Sequence, residues 1–139
     1  MPIWGAGKGM RCISLRNSGQ PCAGGVELSS TLARAAEENL RKVLPTEQAW
    51  RVYADDAGRW AHYDDYNIFY IYNSFPLVVV REVNEKICES LKRHPRSCKV
   101  LYLMPEFPEV FEQDRRWRLV ARDSEKEIRH GMWIFENVE

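Results

Sequence analysis

The stretch Gly5-Ala6-Gly7-Lys8-Gly9 has three glycines in five residues, and acidic residues follow it at two places along the chain. Glu27 ends a second apolar segment, in Gly25-Val26-Glu27-Leu28-Ser29, and Asp56 follows a third, in Ala54-Asp55-Asp56-Ala57. Because glycine has no side chain, a ligand can approach its backbone closely. An acid at the end of a second strand can accept the hydroxyls of a ribose, and the next acid can reach an adenine edge. This order predicts an α/β unit that binds a nucleoside.

Apolar runs alternate with segments of helical period along the rest of the chain, which predicts βαβ units, a mostly parallel sheet and one domain over residues 1–139. Residues 67–72 are the clearest strand, and their nearly continuous apolar character predicts burial on both faces. Ser29 or Ser30 is a candidate N-cap. The expected strands cover residues 1–5, 22–28, 49–54, 67–72 and 99–104, with a closing antiparallel pair at 117–121 and 132–135. The expected helices cover residues 9–17, 31–43, the segment around 80–91, and 106–113.

Composition sets limits on location and partners. Lys plus Arg total 20 and Asp plus Glu total 20, so the net charge is zero and gives no strong signal for nucleic acid. The apolar runs are far shorter than a membrane span, so no membrane association is expected. We see no secretory signal and expect a cytoplasmic protein with reduced cysteines. No metal is expected, because no zinc spacing joins Cys12, Cys22, Cys88, Cys98, His62, His94 and His130.

A further motif, Asn73-Ser74-Phe75-Pro76, follows the fourth apolar run. With the glycine stretch, the two acids and the helical segment Leu32–Leu40, it resembles class I S-adenosylmethionine (SAM)-dependent methyltransferases. The resemblance implies an α/β, Rossmann-like sandwich with helices on both faces. Its sheet would be seven-stranded and mostly parallel, in the order 3-2-1-4-5-7-6. The resemblance also implies SAM as cofactor and an acceptor that the sequence does not identify.

The resemblance assigns a role to each motif. The glycines would hold the methionine tail and ribose, Glu27 the ribose hydroxyls, and Leu28 one adenine face. Asp56 would accept from the adenine amino group, although a turn residue fits that position equally well. Asn73 is the candidate catalytic residue, orienting the acceptor or the methionine amine, and a strand-end turn cap is its alternative. The candidate cofactor-binding residues are Gly5, Ala6, Gly7, Gly9, Glu27, Leu28, Asp56, Ala57 and Asn73, and the candidate acceptor-binding residues are Phe75 and Pro76.

A nicotinamide dinucleotide is the rival ligand, because it uses the same architecture. Dinucleotide sites usually have the third glycine five residues after the first, where this chain has Met10. The glycine spacing therefore favours SAM over NAD.

Three departures from the superfamily pattern leave a second function open. Ile3 stands where an acid is common, Ser74 stands where proline is common, and the N-terminal helices that cover SAM are not recognised in this chain. The alternative is a degenerate, non-catalytic module of the same fold that binds a nucleoside cofactor or serves oligomerisation. Without those helices, one face of the sheet would expose aromatic side chains, and we therefore expect a homodimer that covers them. The alternative is a monomer in which the first helix and the C-terminal strands cover that face. The candidate exposed residues are Trp4, Trp60, Phe69 and Phe75.

Overall fold

The computed structural model of this 139-residue chain describes residues 10–14, 22–43, 50–72, 75–123 and 131–138. The strands are β1 (Met10–Ser14), β2 (Cys22–Glu27), β3 (Trp50–Ala54), β4 (Ile68–Tyr72), β5 (Lys99–Leu103), β6 (Trp117–Arg122) and β7 (Met132–Asn137). The helices are α1 (Ser30–Val43), α2 (Leu77–Arg93) and α3 (Glu109–Glu112), with a 3-10 turn at Tyr63–Asp65. Within these ranges, no helix is both long and apolar enough to cross a membrane.

The strands form one sheet in the order β3-β2-β1-β4-β5-β7-β6. This order is the expected one, but the expected mostly parallel orientation is wrong. Only the β2–β3 and β4–β5 neighbours are parallel, whereas β1 is antiparallel to both β2 and β4. The β5–β7 and β6–β7 neighbours are antiparallel, as expected for the closing strands. The sheet is therefore mixed.

The reversal of β1 corrects a second expectation, the helix over residues 9–17. Met10–Ser14 is a strand that fills the gap between β2 and β4, and it supplies partners for the backbone groups on both of them. Residues 15–21 can join two antiparallel neighbours, whereas a parallel crossover needs a dozen or more residues. The expected strand over residues 1–5 lies outside the described residues.

Of the remaining predicted helices, α1 has nearly the predicted bounds, α2 is longer than the predicted segment around 80–91, and α3 is shorter than the predicted 106–113. The backbone N–H of Leu32 donates to Ser29 Oγ (3.3 Å), so Ser29 caps α1. α1 packs against β2 and β3, where Ala33, Leu40 and Trp50 are buried. α2 follows Pro76, and Lys92 and Arg93 in its last turn complement the helix dipole.

The two faces of the sheet differ sharply in burial. On the face that packs against α2, hereafter the α2 face, inward side chains of β4, β5 and β7 are at most 3% exposed. They are Phe69, Ile71, Val100, Tyr102, Trp133 and Phe135. On the other side, hereafter the opposite face, alternate residues of the same strands are half-buried. They are Ile68, Tyr70, Leu101, Leu103, Met132 and Ile134.

Several burial predictions need correction in this light. β4 is buried on its α2 face alone, since Tyr70 is half-buried and Tyr72 is 46% exposed on the other side. Trp60 and Phe69, expected at an exposed surface, are buried. Trp60 packs edge-on against Tyr53 with ring centroids 5.1 Å apart, beside the end of β3. Because both rings are tightly packed in the core, neither Trp60 nor Phe69 is exposed for contact with a second copy of the chain.

Candidate functional site

One edge of the sheet collects the ends of four strands. β2 and β4 run in the same direction because β1 is antiparallel to both, and β3 and β5 are parallel to them. Their last residues, Glu27, Ala54, Tyr72 and Leu103, therefore mark one edge, hereafter the carboxyl edge. Open α/β sheets bind ligands outside this edge, where the strand order reverses.

The reversed strand β1 begins at this same edge. Its first residue, Met10, is the register partner of both Val26 and Ile71, each one residue before its strand ends. The glycine stretch precedes Met10 in the chain, so the glycines come before β1 and not after it as expected. Gly5, Ala6, Gly7 and Gly9 lie outside the described residues, and their role in binding stays a prediction.

Glu27 is a buried acid beside an exposed apolar residue. The residue is 9% exposed, and its Oε1 accepts from the backbone N–H of Ser29 (3.1 Å). Within the described part of the chain this is its one side-chain hydrogen bond. The next residue, Leu28, is 73% exposed although it is large and apolar. A held acid beside an exposed apolar surface suits a ribose and the face of its base.

Asp56 lies next to Glu27 but is committed to a turn. The backbone N–H of Asp55 donates to the carbonyl of Glu27 (3.1 Å), which joins the ends of β2 and β3. Asp56 Oδ1 accepts from the backbone N–H of Gly58 (2.9 Å), the arrangement of an Asx turn. Ala57 is buried, and its carbonyl accepts from the Tyr63 hydroxyl (2.7 Å). Adenine contacts by Asp56 and Ala57 stay predictions.

The two acceptor-side residues differ in availability. Phe75 is half-buried and packs against the core, whereas Pro76 is exposed just before α2 and its carbonyl accepts from Val80 (3.1 Å). Pro76 is therefore the better candidate for an apolar lip. Asn73 lies outside the described residues, so its catalytic role remains a prediction.

Sequence reasoning missed Met104, which follows β5 at this edge. It is the one non-glycine residue in the described ranges with a positive φ, at 49°. The hydroxyl of Tyr72, the last residue of β4, donates to Met104 Sδ (3.7 Å). Nothing in the local sequence indicates a left-handed methionine, because the conformation depends on contacts from other strands.

The strongest electrostatic perturbations lie away from the carboxyl edge, between α2 and the start of β6. Arg116 hydrogen bonds lower the pKa of Asp114 to about 2, against the opposing effect of burial. Asn84 joins this group by donating to Asp114 Oδ2 (2.8 Å) and accepting from Trp117 Nε1 (2.7 Å). This arrangement fastens α2 to β6 and touches no predicted site residue.

A cavity of about 540 Å³ also lies remote from the carboxyl edge, near the beginning of β5. Its lining includes Leu91 and Lys92 from the end of α2, and Asn137 and Val138 from the end of β7. Burial raises the pKa of Cys88, another lining residue, to about 11, so its thiol stays protonated. None of the residues predicted to bind cofactor or acceptor lines this cavity.

No protein-family model matches this chain, and no curated protein matches it. Solved structures do. The Haemophilus influenzae protein HI0767, described provisionally as a methylase, has a TM-score of 0.60 at 14% identity, over 82% of this chain and 71% of that one. Magnesium protoporphyrin IX methyltransferase (ChlM) of Synechocystis PCC 6803, solved with bound SAM, has a TM-score of 0.56 at 10% identity. That match covers 84% of this chain, which spans 58% of ChlM.

The fold is accordingly that of the class I SAM-dependent methyltransferases. Its strand order agrees with the order expected from the resemblance, and its main departure is the direction of β1.

Proposed function

We propose that this chain binds SAM at the carboxyl edge and transfers the methyl group to an acceptor not yet identified. The observation that carries the proposal is the buried Glu27, whose Oε1 accepts from Ser29, beside the exposed Leu28. The likeness of fold to a methyltransferase solved with SAM supports the choice of cofactor.

The spacing of the strands fits a ligand that extends across the edge. Glu27 ends β2 and Tyr72 ends β4, with β1 between them. Two strand spacings separate these ends, about 10 Å. A nucleoside whose ribose lies at Glu27 can therefore extend past the start of β1 towards the end of β4. The acceptor side of the site would then lie at β4 and β5.

Methyl transfer from SAM requires no nucleophilic side chain from the protein. When bound, SAM supplies a sulfonium methyl group, whose sulfur–carbon bond breaks as the bond to the acceptor forms. The chain then has to bind, align and exclude water. Glu27 would fix the ribose, Leu28 would cover the base, and Pro76 would border the acceptor. Asn73 would orient the acceptor or the methionine amine.

Substitution of Glu27 tests the proposal. Glu27→Ala should weaken binding of S-adenosylhomocysteine (SAH) in calorimetric titration by about 1–3 kcal/mol, because a charge-assisted hydrogen bond is lost. Glu27→Gln keeps an oxygen for Ser29 and should lose less. Glu38→Ala removes an equal charge from the exposed surface of α1 and should change nothing. Equal affinity for SAH in all four proteins, with the fold intact, would remove Glu27 from the site.

Competition with NAD tests the choice of nucleoside. Because Met10 replaces the glycine that dinucleotide sites use, we expect micromolar NAD to leave bound SAH in place. Displacement of SAH by NAD in the same titration would reverse the assignment.

A non-catalytic module remains the second candidate, and the reversal of β1 is the observation that favours it. Residues 15–21 are too few for the crossover helix that parallel strands would require there. Incubation with methyl-labelled SAM and fractionated cell extract separates the candidates. Label transferred by wild type but not by Glu27→Ala supports the enzyme, whereas SAH binding without transfer supports the module.

Two further expectations stay part of the proposal. A cytoplasmic location agrees with Cys88 and Cys98, which are buried free thiols. A homodimer is supported by the half-exposed apolar side chains of the opposite face, such as Tyr70, Leu101 and Ile134. Sedimentation at micromolar concentration tests assembly, and a single species near 16.3 kDa would exclude the dimer.

A further inference from the structure

Met104 holds a backbone conformation that its own side chain disfavours. At φ 49° the Cβ of an L-residue crowds the backbone, at a cost of order 1–2 kcal/mol. Glycine would adopt this conformation without strain. Strained residues persist when their surroundings hold them in place, and they concentrate at functional sites.

Met104 is contacted by a residue that ends β4 and by one that precedes β7. Its backbone N–H donates to the carbonyl of Gly131, just before β7 (2.8 Å). Gly131 itself has φ 110°, and an added Cβ there would lie 2.7 Å from Asp123 Cβ. On the other side, the Tyr72 hydroxyl donates to Met104 Sδ (3.7 Å). The thioether thus contacts the hydroxyl of an exposed tyrosine at the carboxyl edge.

The position of this pair separates it from the nucleoside end of the site. Tyr72 and Leu103 are register partners at the ends of β4 and β5, and Met104 follows directly. β5 is three strands from β2, about 15 Å away. A ribose held by Glu27 cannot reach this far, but the group that receives the methyl can.

We infer that Tyr72 and Met104 form the acceptor-side wall of the site and select a planar, apolar acceptor group. This inference rests on the proposed function. Tyr72 is 46% exposed, and an aromatic ring stacks on flat partners. The polarisable thioether of methionine also contacts aromatic rings favourably. The wall offers no charged group of its own.

The test uses 1-naphthol as a planar probe and decahydro-1-naphthol as its saturated counterpart. Protein labelled with ¹³C at the methionine methyl groups gives a Met104 signal, assigned by its loss in Met104→Leu. With SAH bound, 1-naphthol should shift that signal saturably and the saturated alcohol should not. Tyr72→Ala should weaken 1-naphthol binding by roughly tenfold and Tyr72→Phe by less, with SAH affinity unchanged.

Met104→Gly separates selection of the acceptor from a purely structural role. It relieves the strained backbone, so the urea midpoint should hold or rise, while fluorescence titration should show weakened 1-naphthol binding. Normal SAH binding with a stationary Met104 signal, or equal binding of both alcohols, would overturn the inference and leave the proposed function standing. Failure of SAH to bind by calorimetry would instead defeat the proposed function, and this inference with it.

Discussion

The two faces of strands β4, β5 and β7 differ in burial, although neighbouring residues of each strand alternate between them. Phe135 is fully buried on the α2 face, where its ring lies 5.4 Å from that of Phe111, while its neighbour Ile134 is half-buried on the opposite face. Tyr102 and Leu101 show the same contrast on β5. Because buried apolar area drives folding, we assign most of the stability to the α2 face.

The residues that stabilise the fold are therefore different from those of the candidate site. The α2 face is filled by rings and by the Asn84–Asp114–Arg116 group, and it leaves no predicted site residue on its strands. The candidate site lies instead at the carboxyl edge, on residues that end the strands or follow them directly. Substitutions at the two places should therefore have separable effects.

The largest expected effect comes from emptying the α2 face. Phe135→Ala removes a fully buried ring and should lower the free energy of unfolding by about 3–5 kcal/mol. Ile134→Ala, one residue away on the opposite face, should cost about 1–2 kcal/mol because its side chain is half-exposed. Urea unfolding measures both, with Phe135→Leu as a milder variant. Equal losses at the two positions would break the contrast between the faces.

A smaller effect is expected from the polar group on the α2 face. Asn84→Ala leaves the buried Nε1 of Trp117 and the Asp114 carboxylate each without one partner, and should cost about 1–3 kcal/mol. Asn39→Ala, on the exposed side of α1, is the matched control and should be silent. Urea midpoints that coincide for the two variants would show that this group contributes no stability.

The pH dependence of stability should come from the Asp114 carboxylate of the same polar group. Asp114 has its pKa lowered to about 2, chiefly by Arg116, from an ordinary value of 3.8. Its contribution, about 2 kcal/mol, is therefore complete above pH ~4 and lost as the pH falls towards 2. Asp114→Asn should be less stable than wild type at pH 6, and the difference should shrink below pH 4. A difference that is constant with pH would contradict this assignment.

The sequence predicts β4, β5 and α2 better than it predicts β1. The apolar runs at β4 and β5, and the spacing of Val80, Val83 and Ile87 on α2, are local signals that the packing confirms. The direction of β1 is not a local property. Met10–Ser14 becomes a strand because β2 and β4 on either side need hydrogen-bonding partners.

The candidate site is predictable to a similar degree. Glu27 ends one apolar strand and Asp56 follows another, so their place at one edge follows from the βαβ pattern. The use of Asp56 Oδ1 in a turn, and the strained Met104, depend on three-dimensional contacts that spacing does not encode. The predicted roles of Gly5–Gly9 and Asn73 stay predictions, since these residues lie outside the described ranges.

Hydrogen–deuterium exchange with and without SAH tests the central claim, that the cofactor binds at the carboxyl edge. We predict that SAH slows exchange in peptides containing Glu27–Ser29 and Asp55–Gly58. Peptides containing Leu91–Ser97, beside the remote cavity, should exchange at an unchanged rate. Protection at Leu91–Ser97 without protection at Glu27–Ser29, or no protection at saturating SAH, would contradict the account.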